Sequence, residues 1–179
     1  MIKNLSLEQE MALVENAKKD IGAFAKLYDL YFPKLYGFVV YLVGNHEDAE
    51  DIVSETFEKS LSNLQKYEHR GFRFGSWLYK IARNLVYDRS KAKTSINLDS
   101  FEMFATDENL DERINDQVEV EKLGKFVTEL KAEQREVVVL RYVDGYSIKE
   151  TSIITGRSED SVKSACKRAL LNIRKEMPT

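Results

Sequence analysis

The sequence predicts an all-α protein of two small helical domains joined by an acidic linker, and three observations carry that prediction. Apolar residues recur at helical spacing through most of the chain. Breakers are scarce, with two prolines and eight glycines in 179 residues. Charge is partitioned: the balance is -1 over residues 1–90, -5 over 91–119 and +3 over 120–179. An apolar fraction of 43% with 32% charged residues is ordinary for a soluble globular protein that can build real cores.

Residues 7–43 read as core-building helices. Leu13 and Ala17 lie on a short first helix, followed by Phe24, Leu27, Tyr28, Tyr31 and Phe32 at helical spacing. Pro33 predicts a break or a helix start, because it lacks an amide donor and its ring clashes with the preceding turn. Leu35, Tyr36, Val39, Val40 and Val43 then continue the pattern to Gly44, a C-terminal cap. Rings at this spacing point to packing rather than cofactor binding.

Asn45 opens the next helix, with Glu47 and Asp48 in the first turn, where the helix dipole favours negative charge. Ala49, Ile52, Val53, Phe57, Leu61 and Leu64 form its buried face. Asp51, Glu55 and Glu58 sit at i, i+4 and i+7 and make an acidic stripe, with no residue N-terminal to Lys59 in the helix expected to pair with it. Such a stripe is either a solubilising surface or a docking surface for a basic partner. A carboxylate metal site is disfavoured: His46 precedes Glu47 and Asp48, but no second helix supplies the Glu-x-x-His pattern of a di-metal bundle. No metal and no cofactor are expected.

From Lys66 to Lys93 an aromatic loop runs into a basic amphipathic helix. Eight of its ten charged residues are positive, in a chain of net charge -3. Phe72, Phe74, Trp77 and Tyr79 interleave with Arg70, Arg73 and Lys80, the combination that neutralises phosphates and offers flat surfaces to unstacked bases. Ser76 is the expected N-cap, and Gly71 and Gly75 bracket the loop. Leu78, Ile81, Ala82 and Leu85 make a core stripe, while Lys80, Arg83, Asn84, Tyr87 and Lys91 share another side. The bland alternative is a solvated charged face over core aromatics.

Residues 94–119 lose helical periodicity and carry eight acids against Arg113 alone, so they form a linker that repels a nucleic-acid backbone. Beyond it Leu123, Phe126, Val127 and Leu130 share a face, and Val137–Val143 continue another helix to Asp144 and Gly145. Ser147 caps a short helix that stops at Gly156, and Ser158 caps a long one. Helix, glycine turn and longer helix is the helix-turn-helix pattern. In the last helix Val162, Cys166, Ala169 and Ile173 face the core, while Ser161, Ser164, Lys167, Arg168 and Lys175 lie on the open side. A single cysteine in a core position excludes an internal disulfide and argues for packing over reactivity.

These segments resemble a known family in order and spacing. AFAKLYDLYFPKLYGF, DAEDIVSETF, FGSWLYKIARNLVYDRSK and LKAEQREVVVLRYVDGYSIKE, followed by the helix-turn-helix, look like a bacterial RNA polymerase sigma factor of the extracytoplasmic-function class. The resemblance implies sigma region 2 over 1–93, the linker over 94–119 and sigma region 4 over 120–179. It implies polymerase docking through Asp48, Asp51, Glu55 and Glu58. Minus-ten capture and strand opening fall to His69, Arg70, Phe72, Arg73, Trp77, Lys80, Arg83 and Asn84. Minus-thirty-five contacts fall to Arg135, Lys149, Ser161, Lys163, Ser164, Lys167 and Arg168. Thr151, Ser152 and Thr155 stand where the family places apolar residues, Lys131 where it has Pro, Ala165 where Arg is common, and Ser54 where Gln is frequent.

The expected partners are therefore core RNA polymerase, promoter DNA and an anti-sigma factor, with no catalytic residue. The competing reading is a stand-alone helix-turn-helix regulator with N-terminal dimerisation or sensing helices. A metal-dependent hydrolase is a second alternative without a matching ligand set. The N-terminus lacks the apolar core of a signal peptide and no run of eighteen apolar residues occurs, so a cytoplasmic protein without membrane insertion is expected.

Overall fold

The computed structural model describes residues 5–92, 127 and 130–176. The expected linker at 94–119 lies outside the described residues, as do Leu123 and Phe126. Four helices form the N-terminal half: α1 (Leu7–Ala17), α2 (Ile21–Val43), α3 (His46–Asn63) and α4 (Phe74–Ala92), with a 3-10 turn at Leu64–Lys66. The C-terminal half contains α5 (Ala132–Val138), a π-helical turn at Val139–Val143, α6 (Ile148–Thr155) and α7 (Glu159–Glu176).

Local chemistry sets most boundaries. Ser6 and Gln9 form a capping box on α1, and Ser147 and Glu150 form another on α6. Asn45 accepts the Asp48 amide at 2.7 Å, as its position predicts. Gly44 ends α2 at φ 78°, its amide donating to the Val40 carbonyl at 2.8 Å, and Gly156 ends α6 at φ 68°. Pro33 is a correction: it lies inside the uninterrupted α2. Both Pro33 and Asp29, the residue whose carbonyl loses its partner, are exposed, so the break in the hydrogen-bond ladder falls on the solvent side while the helix packs on its other side.

The start of α4 also differs from expectation. It begins at Phe74, and Ser76 is buried rather than capping. The cap comes from α1: the Glu10 carboxylate accepts the Phe74 amide at 2.8 Å and the Tyr31 hydroxyl, joining α1, α2 and α4 at one buried point. A carboxylate at a helix N-terminus is favoured by the dipole, and this one is supplied from 64 residues away.

One apolar core crosses both halves. Leu27, Leu35, Val39, Ile52, Leu64, Leu78 and Ala82 belong to it from the N-terminal side, and Val139, Leu140, Tyr146 and Ile154 from the C-terminal side. Helix α4 packs against α6 and α2 against α5. The Tyr146 ring meets Tyr79 edge-on with centroids 5.0 Å apart. Gly75 permits this approach: a Cβ there would lie 2.3 Å from the Tyr146 hydroxyl and 2.5 Å from the Tyr31 ring. A smaller cluster of Val137, Val162, Ala165 and Cys166 holds α5 against α7.

The buried face of α3 is narrower than its spacing suggests, because Leu61 is 41% exposed while Leu64 is covered. Leu35→Ala, at a fully buried site, should cost about 2–5 kcal/mol of unfolding free energy. Leu61→Ala should change it by no more than about 0.5 kcal/mol. Urea unfolding of the two variants checks the contrast, and equal losses would contradict this core.

Candidate nucleic-acid and polymerase surfaces

The acidic stripe of α3 is on the surface, but it is not bare. Arg89 of α4 donates to Glu55 at 2.8 Å and lies 3.8 Å from Asp51. Lys59 bridges Glu55 at 2.9 Å, which corrects the expectation that no residue before it in the helix pairs with it. Hydrogen bonds from Arg89 and then Lys59 hold the Glu55 carboxyl below its usual range. Asp48 accepts from Asn45 at 2.7 Å, and Glu58 is exposed. Sequence periodicity placed the acids correctly and missed Arg89, which reaches them only because α4 packs on α3.

The basic stretch divides into free and engaged residues. Arg70, Lys80 and Asn84 are exposed. His69 accepts the Gly71 amide at 3.2 Å, in a turn where Gly71 takes φ 79°. Trp77 is half-buried against Tyr67 and Phe74, with ring centroids 5.0 and 5.4 Å away. Phe72, Arg73 and Arg83 instead touch the C-terminal half. Lys149 sits 5.2 Å from the Phe72 ring centre. Arg73 donates to Glu150 at 2.9 and 3.3 Å and to the Gly145 carbonyl at 3.0 Å, its guanidinium 4.3 Å over the Tyr146 ring. Arg83 donates to Glu136 at 2.5 Å and lies 4.3 Å over Tyr87.

Glu136 has no solvent exposure and is shared between the halves. Arg157 approaches its second oxygen at 3.6 Å, and the Tyr87 hydroxyl donates to that oxygen at 3.5 Å. Burial pushes this carboxyl up, and the two arginines with Tyr87 pull against that shift. Glu150 shows the opposite balance: hydrogen bonds from Arg73 and Ser147 outweigh its burial, and its carboxyl lies below the usual range. Sequence reading assigned no role to Glu136, Glu150 or Arg157. The available signal was a carboxylate immediately before the apolar run Val137–Leu140, where charge is costly without a partner.

In the C-terminal half Ser161, Lys163, Ser164, Lys167 and Arg168 are all exposed on α7 and form one accessible face. Lys163 pairs with Asp160 at 3.2 Å. Arg135 is not with them. It is buried and donates to the carbonyls of Val127, Tyr41 and Leu130 at 3.3, 3.1 and 3.1 Å, so no phosphate reaches it in this arrangement. Ala165 also faces inward, packed in the small cluster with Val162 and Cys166. Thr151 and Thr155 are buried where apolar residues were expected, the Thr155 hydroxyl donating to the Thr151 carbonyl at 2.7 Å.

Comparison with known proteins shows the family of the chain that carries these surfaces. Residues 27–96 match sigma-70 region 2, and residues 121–173 match sigma-70 region 4. The chain is 35% identical over 175 residues to the ECF RNA polymerase sigma factor BldN of Streptomyces coelicolor, covering 94% of this chain and 66% of that relative. It is 30% identical over 162 residues to SigX of Bacillus subtilis, another such factor, covering 86% of this chain and 83% of the relative. The chain belongs to the ECF RNA polymerase sigma factor family. A structure of the sigma factor RpoE in complex with the anti-sigma factor NepR, from Bartonella quintana, matches with a TM-score of 0.69 at 25% identity. That match covers 85% of this chain and 94% of the other. The all-α, two-part reading and the helix-turn-helix therefore stand, and the regulator alternative gains no support from these relatives.

In this sigma factor one buried acid at the junction titrates near neutrality. Asp144 is 8% exposed, and burial pushes its carboxyl from 3.8 up to about 7, against the influence of Tyr79, Lys34 and Arg73. Tyr41 faces it as well. The folded form thus keeps a proton that the unfolded chain releases, so this group's contribution falls as pH rises from about 4 to 7 and levels off above. The slope is up to about 1.4 kcal/mol per pH unit. Asp144→Asn removes that dependence. Its stability gain over the unaltered chain should be larger at pH 8 than at pH 5 in urea unfolding, and equal gains at both would show that Asp144 does not titrate in this way.

Proposed function

We propose that this sigma factor docks on core RNA polymerase through the acidic face of α3, reads the minus-ten element with the loop 67–75 and α4, and reads the minus-thirty-five element with α7. The observation that carries this is the exposure of the charged residues within the matched segments: Arg70, Lys80, Asp51 and Glu58 in region 2, and Lys163, Lys167 and Arg168 in region 4. Asp48, Asp51, Glu55 and Glu58 meet the polymerase. His69, Arg70, Phe72 and Arg73 surround an unstacked base, with stacking worth about 1–3 kcal/mol per base. Trp77, Lys80, Arg83 and Asn84 follow the opened strand. Ser161, Lys163, Ser164, Lys167 and Arg168 enter the major groove, with Lys149 near the backbone; Arg135 would join it only after leaving its carbonyl partners.

The factor's part in initiation is binding and positioning rather than turnover, and it acts in the cytoplasm. Among the described residues no helix is long and apolar enough to cross a membrane, and no cluster of three or more metal-ligating side chains occurs. An anti-sigma factor is a further proposed partner, on the precedent of the RpoE–NepR complex.

Asp51→Lys with Glu55→Lys should lower affinity for core polymerase in a pull-down while the helical circular-dichroism signal is kept. Because the reversal also releases Arg89, Arg89→Ala is the companion variant, and it should bind polymerase nearly as well as the unaltered chain. Unchanged affinity in the double reversal would sink the docking assignment.

The free chain should bind promoter duplex only weakly, with dissociation constants on the order of 10⁻⁴ to 10⁻⁶ M at physiological salt. Bound to polymerase, both basic faces are held at promoter spacing and the second contact becomes effectively intramolecular. A mobility-shift titration at fixed salt, with and without core polymerase, tests this. Specific nanomolar binding by the free chain would favour a stand-alone regulator.

A further inference from the structure

The loop 67–75 carries the residues proposed to read the flipped base, yet both its ends are held from outside the segment that matches sigma-70 region 2. That segment begins at residue 27, and α1 precedes it. At the far end of the loop, Glu10 of α1 accepts the Phe74 amide at 2.8 Å, and the Tyr31 hydroxyl donates to the same carboxylate oxygen. At the near end Lys18, the residue that ends α1, donates from Nζ to the Tyr67 carbonyl at 3.0 Å. Its own carbonyl accepts from the side-chain amide of Gln65. Glu15 aims the lysine, its carboxylate 2.8 Å from Nζ. The two anchors stand eight residues apart, roughly 12 Å along a helix axis. Between them the rings of Tyr67 and Phe74 meet edge-on at 5.2 Å and close the neck of the loop, with Trp77 5.0 Å from Tyr67. Glu68 and Arg70 at the tip remain exposed.

We propose that α1 is a brace for minus-ten reading, with Glu10 and Lys18 as positioning residues that fix the two ends of the loop and thereby set which base it accepts. This rests on the reading of loop 67–75 as the minus-ten reader. Selective recognition needs its groups held within about 0.5 Å of the productive geometry, and a loop achieves this only when a second layer of contacts supports it. Helix α1 is that layer. Its capping box fixes where it starts, and Val14 and Ala17 bury its inner face in the core, so the anchors it carries do not drift with the loop. The two anchors differ in kind. Glu10 is almost inaccessible to water, and its carboxylate satisfies an amide at the start of α4, where the helix dipole favours negative charge. Lys18 lies at the edge of the surface, its side chain 17% exposed, and gives the Tyr67 carbonyl a charge-assisted hydrogen bond. Losing Lys18 frees one end of the loop without emptying the core, whereas losing Glu10 leaves a buried amide and hydroxyl without their acceptor. Neither residue is on the loop. Each acts through the backbone that carries His69, Arg70, Phe72 and Arg73, so the choice of base depends on a helix that shares no residue with the matched segment.

The test uses holoenzyme assembled from the full chain and core polymerase, and a library of short single-stranded DNA randomised at every position. Sequencing of the bound fraction gives the base preference at each position. His69→Ala with Arg70→Ala alters the tip itself and identifies the position that the loop reads. A changed profile there upholds the loop as reader whatever the anchor variants do, and an unchanged one defeats that reading and the brace with it. At that position Lys18→Met, which keeps the apolar stem, should lower the enrichment of the preferred base by at least about fivefold. That factor is equivalent to about 1 kcal/mol, the low end of what one stacked base contributes. Affinity for core polymerase and the urea midpoint should stay as in the unaltered chain, and Lys18→Arg, which still donates to the Tyr67 carbonyl, should keep the preference. Glu10→Ala should lower the enrichment further, and Lys18→Met decides alone if Glu10→Ala does not melt cooperatively. Leu35→Ala loosens the core but leaves both anchors, and it should keep the preference. Unchanged enrichment in Lys18→Met, or a fall matched by Leu35→Ala, overturns the brace.

Discussion

A carboxylate with no access to water must be paired or neutral, and Glu136 is the point where this chain meets that constraint. Its partners come from two directions: Arg83 from the N-terminal bundle and Arg157 from the turn of the helix-turn-helix. Removing one partner from such a site is costlier than never having built it, because the remaining charge is left buried. The position of α5 against α4 is therefore tied to Arg83, and the position of the turn before α7 is tied to the same carboxylate. The rest of the junction follows that alignment. Glu150 reaches Arg73, Tyr146 lies over Gly75, and Arg135 reaches back to the carbonyl of Tyr41.

Helix α4 bears three demands at once. Its stripe of Leu78, Ala82 and Leu85 closes the N-terminal core, its Tyr79 and Arg83 meet the C-terminal half, and Lys80 and Asn84 remain in solvent. Glu10 fixes where this helix begins, and Gly75 allows the opposite half to approach its first turn. The ion pairs at the rim of this shared apolar core are strong where water is excluded and weaken where water reaches them. The titration of Asp144 adds a dependence on pH at the same boundary, in the direction of a looser fold as pH approaches neutrality from below.

Much of this was legible in the residues. Helix class, the caps at Asn45, Ser147 and Gly44, the core stripe of α4 and the exposed face of α7 all rest on local spacing, and spacing survives folding. The errors share a cause. Ser76 fits a capping position, but the α4 N-terminus is satisfied by Glu10 from a distant helix. Pro33 would break an isolated helix, yet packing on the other side of α2 carries it through. Leu61 obeys the helical period and is left outside because no element covers it. In each case the competing term is a contact between residues far apart in sequence, which no local rule contains.

The same division holds for the functional surfaces. By itself the sequence determined which residue types lie where along each helix: acids on one face of α3, rings and cations around residues 66–93, and small polar and basic side chains on α7. It also determined the family, because four motifs occur in one order. Only the tertiary structure decided which of those charges are available. Arg73, Arg83 and Arg135 are as basic in sequence as Arg70 and Arg168, but three of them are committed to carboxylates and carbonyls inside the protein and two are in solvent. Charge is a property of a side chain, whereas availability depends on which anion or carbonyl the fold brings within hydrogen-bond reach.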